Sequence, residues 1–228
     1  MIAPYYEEDG ITIYNADCRD VLPQLEPVDL VLTDPPYGVG YKGRWNSEWA
    51  EIAHDKETGW IKPVFDLVYS AMAQDSFAVS FYGWPQADEF VSAWKSSGFR
   101  LLSHFVFVKN QIGLGYFSRG QHEQAYLLAK GSPAKPEQAI SDVIYWQRVL
   151  SPVHPTEKPV GSLTPLLRQF CKNAVLDPFM GSGTTLVAAK ALGLKAIGIE
   201  ISKAYCDIAV ERLRQRSLFS LPELQEAA

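Results

Sequence analysis

The stretch that decides the fold is residues 174–185, which read AVLDPFMGSGTT. A short apolar run ends in Asp177, and a glycine turn then leads into a helix that is predicted to start near Thr184. Gly181 and Gly183 permit positive φ angles and a close approach of the backbone, and the first helical turn offers free N–H groups. The pattern is typical of a strand, loop and helix that hold a nucleoside; a tight structural turn is the alternative.

An acidic residue stands at the end of the next predicted strand. That strand is Ala196–Ile199, and Glu200 follows it, seventeen residues beyond Gly183. A carboxylate at this place hydrogen-bonds two ribose hydroxyls in Rossmann-like folds, although a solvated glutamate would give the same sequence. Leu186 stands where the dinucleotide fingerprint has its third glycine, and the P-loop and nucleophile-elbow motifs do not occur.

A second apolar run ends with the same Asp-Pro signature. Residues 28–37 read VDLVLTDPPY, so a buried strand is predicted to run into Asp34. Two prolines stop the ladder, lack N–H groups and stiffen the loop. Asp34 and the carbonyl of Pro35 can accept both hydrogens of an –NH2 group, and the ring of Tyr37 can stack on a planar base. The alternative is a proline-terminated strand with Tyr37 in the core.

Strand-like and helix-like segments alternate along the chain. The predicted strands are Ile11–Tyr14, Val28–Thr33, Phe77–Phe81, Leu101–Val108, Gln124–Ala129, Ala174–Leu176 and Ala196–Ile199, with a possible short strand at Val143–Trp146. The predicted helices are Ile61–Ala73, Ala87–Ser96, Gly161–Lys172, Thr184–Leu192 and Ala204–Arg216. Several strands lack period-2 alternation, which indicates burial on both faces of a parallel sheet. We therefore expect an α/β fold with a doubly wound, mostly parallel sheet, whose ligands bind beyond the carboxyl ends of the strands.

Length and composition predict one domain over residues 1–228. The chain is 47% hydrophobic and 21% charged, which excludes a disordered protein. Two insertions, 38–59 and 131–159, are too long for ordinary βα connections and are candidates for binding a partner, whereas 217–228 is predicted to be a loosely held tail. No apolar run approaches the ~20 residues of a membrane helix, and the acidic start does not resemble a leader, so we expect a cytoplasmic protein with no membrane partner.

Charge and cysteine content limit the partners. The net charge of −5 argues weakly against a polyanion, yet nine Lys or Arg stand against four acids from Arg100 to Lys172. This basic stretch is either a nucleic-acid surface or an ordinary fluctuation. Cys18, Cys171 and Cys206 lie far apart, without a C-x-x-C pair or a neighbouring His at ligand spacing, so a reducing compartment and no metal site are predicted.

The two Asp-Pro motifs resemble those of the amino-group DNA methyltransferases that use S-adenosylmethionine. Residues 34–37 (DPPY) are similar to the catalytic D/N/S-P-P-Y motif of that family, and residues 179–183 (FMGSG) to its F-x-G-x-G cofactor loop. The catalytic motif comes first, as in the permuted group termed beta. Residues 15–18 (NADC) resemble the short acidic segment of the family, and residues 154–159 (HPTEKP) its T-x-K-P segment. The resemblance spans residues 11–216 and implies a seven-stranded sheet flanked by helices.

Matched position by position, the resemblance implies two sets of site residues. The catalytic set is Asp34, Pro35, Pro36 and Tyr37. The set for the cofactor comprises Asp17 for the adenine amino group, Glu200 for the ribose, Asp177, Phe179, Gly181 and Gly183 for the methionine end, and Thr156 and Lys158 near its carboxylate. Cys18, next to Asp17, and Thr184, next to Gly183, complete the cofactor set. Without the family, Asp17 and Lys158 would equally be surface charges.

The expected chemistry is an in-line methyl transfer to an exocyclic amine. The amine is a poor nucleophile because its lone pair is conjugated with the ring, so two acceptors would aim that lone pair at the methyl group. Asp34 would also stabilise the positive charge that develops on nitrogen. The base must be rotated out of a duplex at a cost of a few kcal/mol, which stacking on Tyr37, worth about 1–3 kcal/mol, can offset.

Double-stranded DNA is the implied partner, and basic and aromatic residues near the insertions are candidates to contact it. These candidates are Tyr41, Lys42, Arg44 and Trp45 after the catalytic loop, and Lys130, Lys135, Trp146 and Arg148 around the target-recognition segment 131–153. A packed helical face and solvated loop charges are the alternatives. The pair His122-Glu123 is interpreted as structural.

The leading interpretation is N6 methylation of adenine in DNA, as in restriction-modification systems. N4 methylation of cytosine is the alternative, because both targets present an amine to the same acceptors, and the family associates Asp at the first motif position more with adenine. A catalytically silent nucleic-acid-binding subunit is disfavoured by the intact DPPY motif, and an NAD dehydrogenase by Leu186. The sequence decides neither the recognised DNA site, nor a companion nuclease, nor between a monomer and a homodimer.

Overall fold

A computed structural model describes residues 2–37, 58–113, 116–146 and 158–215. Within these ranges nine strands form one sheet that six α-helices cover. The strands are β1 (Tyr6–Glu8), β2 (Ile11–Asn15), β3 (Val28–Thr33), β4 (Met72–Phe81), β5 (Arg100–Lys109), β6 (His122–Lys130), β7 (Val143–Trp146), β8 (Ala174–Asp177) and β9 (Lys195–Glu200). The helices are α1 (Cys18–Val21), α2 (Ile61–Ser70), α3 (Ala87–Ser96), α4 (Val160–Phe170), α5 (Thr184–Ala191) and α6 (Lys203–Arg214).

The strands lie side by side in the order β1-β2-β9-β8-β3-β4-β6-β5-β7. Five neighbouring strands, from β2 to β4 in this order, are parallel, and β7 is parallel to β5. β6 runs antiparallel between β4 and β5, and β1 runs antiparallel to β2. The predicted mostly parallel, doubly wound sheet is confirmed.

The described sheet has nine strands, whereas the resemblance implies seven. The seven inner strands contain the seven predicted segments, and β1 and β7 are added at the two edges. β7 coincides with the possible short strand. The sequence does not predict β1 because its three residues, two of them acidic, carry no apolar period; it forms by pairing with β2 at the edge.

Each face of the sheet buries its own core. α4, α5 and α6 pack on one face, around residues such as Leu166, and α1, α2 and α3 pack on the other, around residues such as Phe65. β3 serves both cores, since Leu30 and Leu32 belong to the first and Val31 to the second. This double burial explains the continuous apolar run of that strand.

The chain leaves the central strands β3 and β8 toward opposite faces. α2 carries it from β3 to β4 over one face, and α5 carries it from β8 to β9 over the other. Val31 pairs with Leu176, so the carboxyl ends of these parallel neighbours lie at the same edge of the sheet. Open α/β sheets bind ligands at such a change of direction. We call this edge, which holds Asp34 and Asp177, the switch-point edge.

Candidate active site

The turn after β8 adopts the conformation that its glycines permit. Gly181 and Gly183 have φ angles of 51° and 80°, and Gly183 is the N-cap of α5. A Cβ on Gly183 would lie 2.8 Å from the Cβ of Ala209, so the contact with α6 also requires glycine. The buried hydroxyl of Thr184 accepts a hydrogen bond from Arg212 at 3.2 Å. The N-terminus of α5 is therefore fixed at the switch-point edge.

Glu200 closes this turn from the neighbouring strand. Its carboxylate accepts the N–H of Gly181 at 3.1 Å and the N–H of Ser202 at 2.8 Å. The amide of Asn15 donates to the carbonyl oxygens of Glu200 and Ile201, each at 3.0 Å. Burial raises the pKa of Glu200, and the backbone donors oppose that rise. Each carboxylate oxygen keeps acceptor capacity for a further donor.

Asp17 lies beside the end of β9, because the N–H of Ala16 donates to the carbonyl of Glu200 at 3.2 Å. Its carboxylate caps α1 by accepting the N–H of Arg19 at 2.9 Å and pairs with the Arg19 guanidinium at 2.5 Å. Cys18 is the first residue of α1 and is buried in the core, and this burial raises the pKa of its thiol to about 12. Asp17 therefore lies with Glu200 at the switch-point edge, whereas Cys18 has a packing role.

The catalytic loop that the sequence predicts is anchored by its own tyrosine. The hydroxyl of Tyr37 donates to Oδ1 of Asp34 at 2.5 Å. The Tyr37 ring packs directly over Gly83, where an added Cβ would lie 2.8 Å from the Tyr37 Cβ. Pro35 is buried and Pro36 is partly buried between the two. The loop is therefore held at Asp34, at Tyr37 and by its two prolines.

Lys158 binds the carboxylate of Asp34. Its Nζ contacts Asp34 Oδ2 and lies 3.2 Å from Glu123 Oε2, and the side chain is only 6% exposed. The same Nζ lies 4.3 Å from the centroid of the Phe81 ring and 5.8 Å from that of Trp146. Burial acts to lower the pKa of Lys158, but the two carboxylates raise it above its ordinary value, so the amine is charged. The resemblance implies a place near the cofactor carboxylate; here Lys158 pairs with the acid of the DPPY motif.

Glu123 belongs to the same network, although the sequence interpretation treats it as structural. Its second oxygen, Oε1, lies 2.7 Å from Nζ of Lys109. Burial acts to raise the pKa of Glu123, but Lys158 and Lys109 lower it below its ordinary value. Lys109, Glu123, Lys158 and Asp34 thus form a line of alternating charges, which we call the charge row. No local pattern predicts it, because its members come from four separate parts of the chain.

Asp177 is the most deeply buried acid of the site, at 4% exposure. It accepts the hydroxyl of Thr185 at 2.7 Å and the N–H of Phe179 at 3.2 Å. Burial raises its pKa to about 7, these donors oppose the rise, and the charge of Asp34 adds to it. Asp177 therefore changes charge near neutral pH.

Phe179 contacts Trp60, an aromatic residue outside the site that the sequence predicts. Its ring lies edge-on to Trp60, with centroids 5.4 Å apart and planes at 61°. Trp60 directly precedes α2, and its Nε1 is buried without a hydrogen-bond partner among the described residues. The two rings form one apolar wall beside the glycine turn.

Three candidate DNA-contact residues lie in the described ranges, and the structure corrects two of them. Nζ of Lys130 donates to the carbonyls of Tyr69 and Met72 at 2.7 and 2.6 Å, at the edge opposite the switch point. Lys130 therefore anchors the fold and does not face the site. Trp146 lies at the switch-point edge but is buried, and the centroid of its ring lies 5.1 Å from Nζ of Lys109. It therefore packs against the charge row and is not exposed for contact with DNA. Lys135 is exposed in the segment after β6.

The other selected residues lie outside the described residues. These are Tyr41, Lys42, Arg44, Trp45, Arg148 and Thr156, together with most of segment 38–59, the end of segment 131–153 and the tail 217–228. In the part of the chain that the structure describes, no cluster of three or more His, Cys, Asp or Glu could hold a metal ion. No helix within the same ranges is long and apolar enough to span a bilayer.

Comparison with known proteins shows which family the chain belongs to. Residues 28–211, from β3 into α6, match the DNA methylase family N6_N4_Mtase. The chain belongs to this family. The methylase is 45% identical over 201 residues to the Escherichia coli (strain K12) protein YubD, a methylase by its name, and the match covers 86% of this chain and 87% of that relative. Family membership excludes the dehydrogenase alternative and includes both N6-adenine and N4-cytosine enzymes.

Two solved structures share the fold of the methylase. The M1.HpyAVI–SAM complex has a TM-score of 0.73 at 23% identity and covers 90% of this chain and 99% of its own. The PvuII DNA methyltransferase, which is cytosine-N4-specific, has a TM-score of 0.76 at 16% identity and covers 94% of this chain and 90% of its own. At these identities the likeness shows the fold of an S-adenosylmethionine-type DNA methylase and does not assign the target base.

Proposed function

We propose that this methylase transfers a methyl group from S-adenosylmethionine to the exocyclic N6 atom of an adenine rotated out of duplex DNA. The observation that carries the proposal is that the DPPY loop and the glycine turn follow neighbouring parallel strands at one edge. One loop offers two acceptors and a ring to a base amine, and the other offers a helix N-terminus and carboxylates to a cofactor. The likeness to a fold solved as a SAM complex supports the type of cofactor.

The residues around the glycine turn fit S-adenosylmethionine. Glu200 is held by backbone donors and has acceptor capacity for two ribose hydroxyls, and Asp17 lies beside it for the adenine amino group. Asp177 offers a carboxylate to the cationic methionine end, where Gly181 and Gly183 leave space for close approach. When bound, the cofactor supplies a methyl group that its sulfonium sulfur makes electrophilic.

Asp34 has the capacity to accept a base amine while it keeps its present partners. An ionised carboxylate has about four lone-pair sites. Tyr37 takes one of these sites and Lys158 takes another. The remaining capacity, with the carbonyl of Pro35, accepts the two amine hydrogens and turns the nitrogen lone pair toward the methyl group. With the cofactor bound, the amine nitrogen would take the methyl group from the sulfonium sulfur, Asp34 would stabilise the positive charge on nitrogen, and the surplus nitrogen proton would pass to the Asp34 carboxylate and from there to solvent.

Lys158 favours the ionised form of Asp34, which burial disfavours. Burial raises the pKa of Asp34, and the ammonium group of Lys158 is the largest effect that lowers it. Glu123 touches neither the base nor the cofactor in this proposal and is a positioning residue, because it pairs with Lys158, which in turn pairs with Asp34. Lys109 balances the charge of Glu123 in turn.

The test is to map modified bases in DNA from cells that express the methylase. Liquid chromatography with mass spectrometry identifies the modified nucleoside, and single-molecule sequencing gives the target sequence. We expect N6-methyladenine at one sequence with the wild-type protein and none with Asp34→Ala, whereas both proteins bind S-adenosylmethionine with similar affinity in calorimetry. N4-methylcytosine would replace adenine as the target, and methylation by Asp34→Ala at the wild-type rate would refute the assignment of the acceptor.

A further inference from the structure

The hairpin loop between β5 and β6 exposes two adjacent aromatic rings. Tyr116 and Phe117 are 102% and 106% exposed, and Ile112 on the same loop is 58% exposed. Aromatic side chains usually bury roughly 150–250 Å² each. Nothing among the described residues covers this pair, and an apolar group of this size in solvent is typical of a binding surface.

The neck of this loop is closed by backbone hydrogen bonds. The N–H of Lys109 donates to the carbonyl of Gln121 at 2.8 Å, and that of Gly113 donates to Gly120, also at 2.8 Å. A Cβ on Gly113 would lie 2.8 Å from the carbonyl oxygen of Gly120, so this close crossing requires glycine. The aromatic pair therefore stands beyond the ends of the two strands, on a stem that continues the sheet.

The stem begins and ends in the charge row. β5 ends at Lys109, and β6 starts at His122, next to Glu123. Glu123 contacts both Lys109 and Lys158, and Lys158 contacts Asp34. The loop therefore rises from the switch-point edge, two side-chain contacts away from the carboxylate proposed to hold the target base.

The loop also carries the positive charge that favours contact with the phosphates of DNA. The chain has a net charge of −5, yet no acid occurs between Lys109 and Glu123, and Arg119 follows the aromatic pair by two residues. Cationic side chains contact phosphates, and aromatic rings stack on bases of any sequence. The combination of a cation and two exposed rings fits a nucleic acid better than an apolar protein surface.

We propose that the β5–β6 loop enters the duplex and that Phe117 and Tyr116 fill the gap left by the rotated-out base, while Arg119 contacts the DNA backbone. The proposal rests on the proposed function, because it needs a base to leave the stack. Rotation exposes the faces of the neighbouring base pairs, and an inserted ring covers them again. The loop thereby stabilises the state in which the DPPY loop holds the target.

The first test compares two duplexes with the mapped target, one fully paired and one with an abasic site opposite the target base. On the paired duplex we expect the double variant Tyr116→Ala/Phe117→Ala to lose about 10- to 100-fold in kcat/KM, as expected from base–aromatic stacking. On the abasic duplex the loss should shrink to less than about threefold, because rotation there breaks no base pair. Leu102→Ala, which removes an exposed apolar side chain near the other end of β5, is the matched control and should match wild type on both.

The results separate the possible failures. An equal loss on both duplexes would overturn gap filling, and wild-type activity of the double variant on both would overturn any role of the pair in DNA binding. If the wild-type protein methylates neither duplex, the proposed function has failed and not the role of the loop. For the backbone contact, Arg119→Gln should lower the slope of log Kd against log salt by about one relative to wild type, and an unchanged slope would exclude that contact.

Discussion

The replacement of Asp177 by Asn tests how the methylase holds the cationic end of its cofactor. Asp177 is buried, accepts hydrogen bonds from Thr185 and Phe179, and has a pKa raised to about 7 by that burial. In the proposed site its carboxylate attracts the cofactor only when it is ionised. Binding at acid pH must therefore expel a proton from Asp177, and this linkage makes the affinity depend on pH.

The size of the effect follows from the pKa. With a pKa of about 7, the apparent Kd should be close to its limiting value at pH 8 and should rise about tenfold for each pH unit below 7. Binding should release nearly one proton at pH 6 and almost none at pH 8. The same raised pKa reduces the stability of the free protein as the pH rises from about 4 to about 7, by up to ~4 kcal/mol, because ionised Asp177 is buried.

Isothermal titration calorimetry with S-adenosylmethionine measures both quantities, at several pH values and in two buffers of different ionisation enthalpy. We expect Asp177→Asn to bind more weakly than wild type at pH 8, with a nearly flat profile between pH 5.5 and 8 and no proton release. Asp207→Asn is the matched control, because it removes an exposed acid of α6 whose partners are Lys203 and Tyr5. A profile in Asp177→Asn as steep as that of wild type would show that another group titrates and would refute this reasoning.

Three further predictions concern the base-binding side. Lys158→Met leaves the partly buried Asp34 without its cation, so the free energy of unfolding in urea should fall by ~3–5 kcal/mol at pH 8. The loss should shrink as the pH falls, because burial raises the pKa of Asp34 and protonation removes the unpaired charge; a loss independent of pH would contradict the ion pair. Glu123→Gln removes an anion that raises the pKa of Asp34, so the acid limb of the methylation pH profile should move to lower pH, and a shift to higher pH would contradict this charge effect. Gly83→Ala pushes against Tyr37 and should lower methylation at least about tenfold with unchanged cofactor affinity, whereas Gly161→Ala, whose Cβ meets nothing within 4 Å, should leave both unchanged.

Local patterns predict the elements that bury apolar residues and miss those that do not. The run VDLVLT predicts β3 to the residue, because a central strand with both faces covered must be apolar throughout. The sequence patterns do not predict the four-residue helix α1, because a segment this short cannot show a helical period and because its start depends on the Asp17 cap. The patterns do not predict β1 for a related reason: it is held by backbone pairing with β2 at the edge of the sheet, and its own side chains contribute little to the core.

The meeting of the two Asp-Pro motifs was predictable for a topological reason. Parallel strands in an open α/β sheet end at a common edge, so two motifs that each follow a buried strand must share that edge. The pairing of Val31 with Leu176 makes the strands direct neighbours, which no sequence pattern states. The sequence thus predicts that both motifs lie at one edge of the sheet. Only the order of the strands shows that the two motifs follow adjacent strands.

The reversed direction of β6 decides where Glu123 and Lys130 lie. Glu123 is interpreted from the sequence as structural because no pattern around it specifies a chemical role, and Lys130 is a DNA-contact candidate because of its charge and its place beside segment 131–153. β6 pairs antiparallel with both β4 and β5, so its first residues reach the switch-point edge and its last residues reach the opposite one. At about 3.4 Å per residue, Glu123 and Lys130 lie roughly 24 Å apart along the strand. Reversal therefore brings the acid to Lys158 and takes the lysine to the carbonyls of Tyr69 and Met72. It also places the ends of the β5–β6 loop, which carries exposed rings, at the switch-point edge.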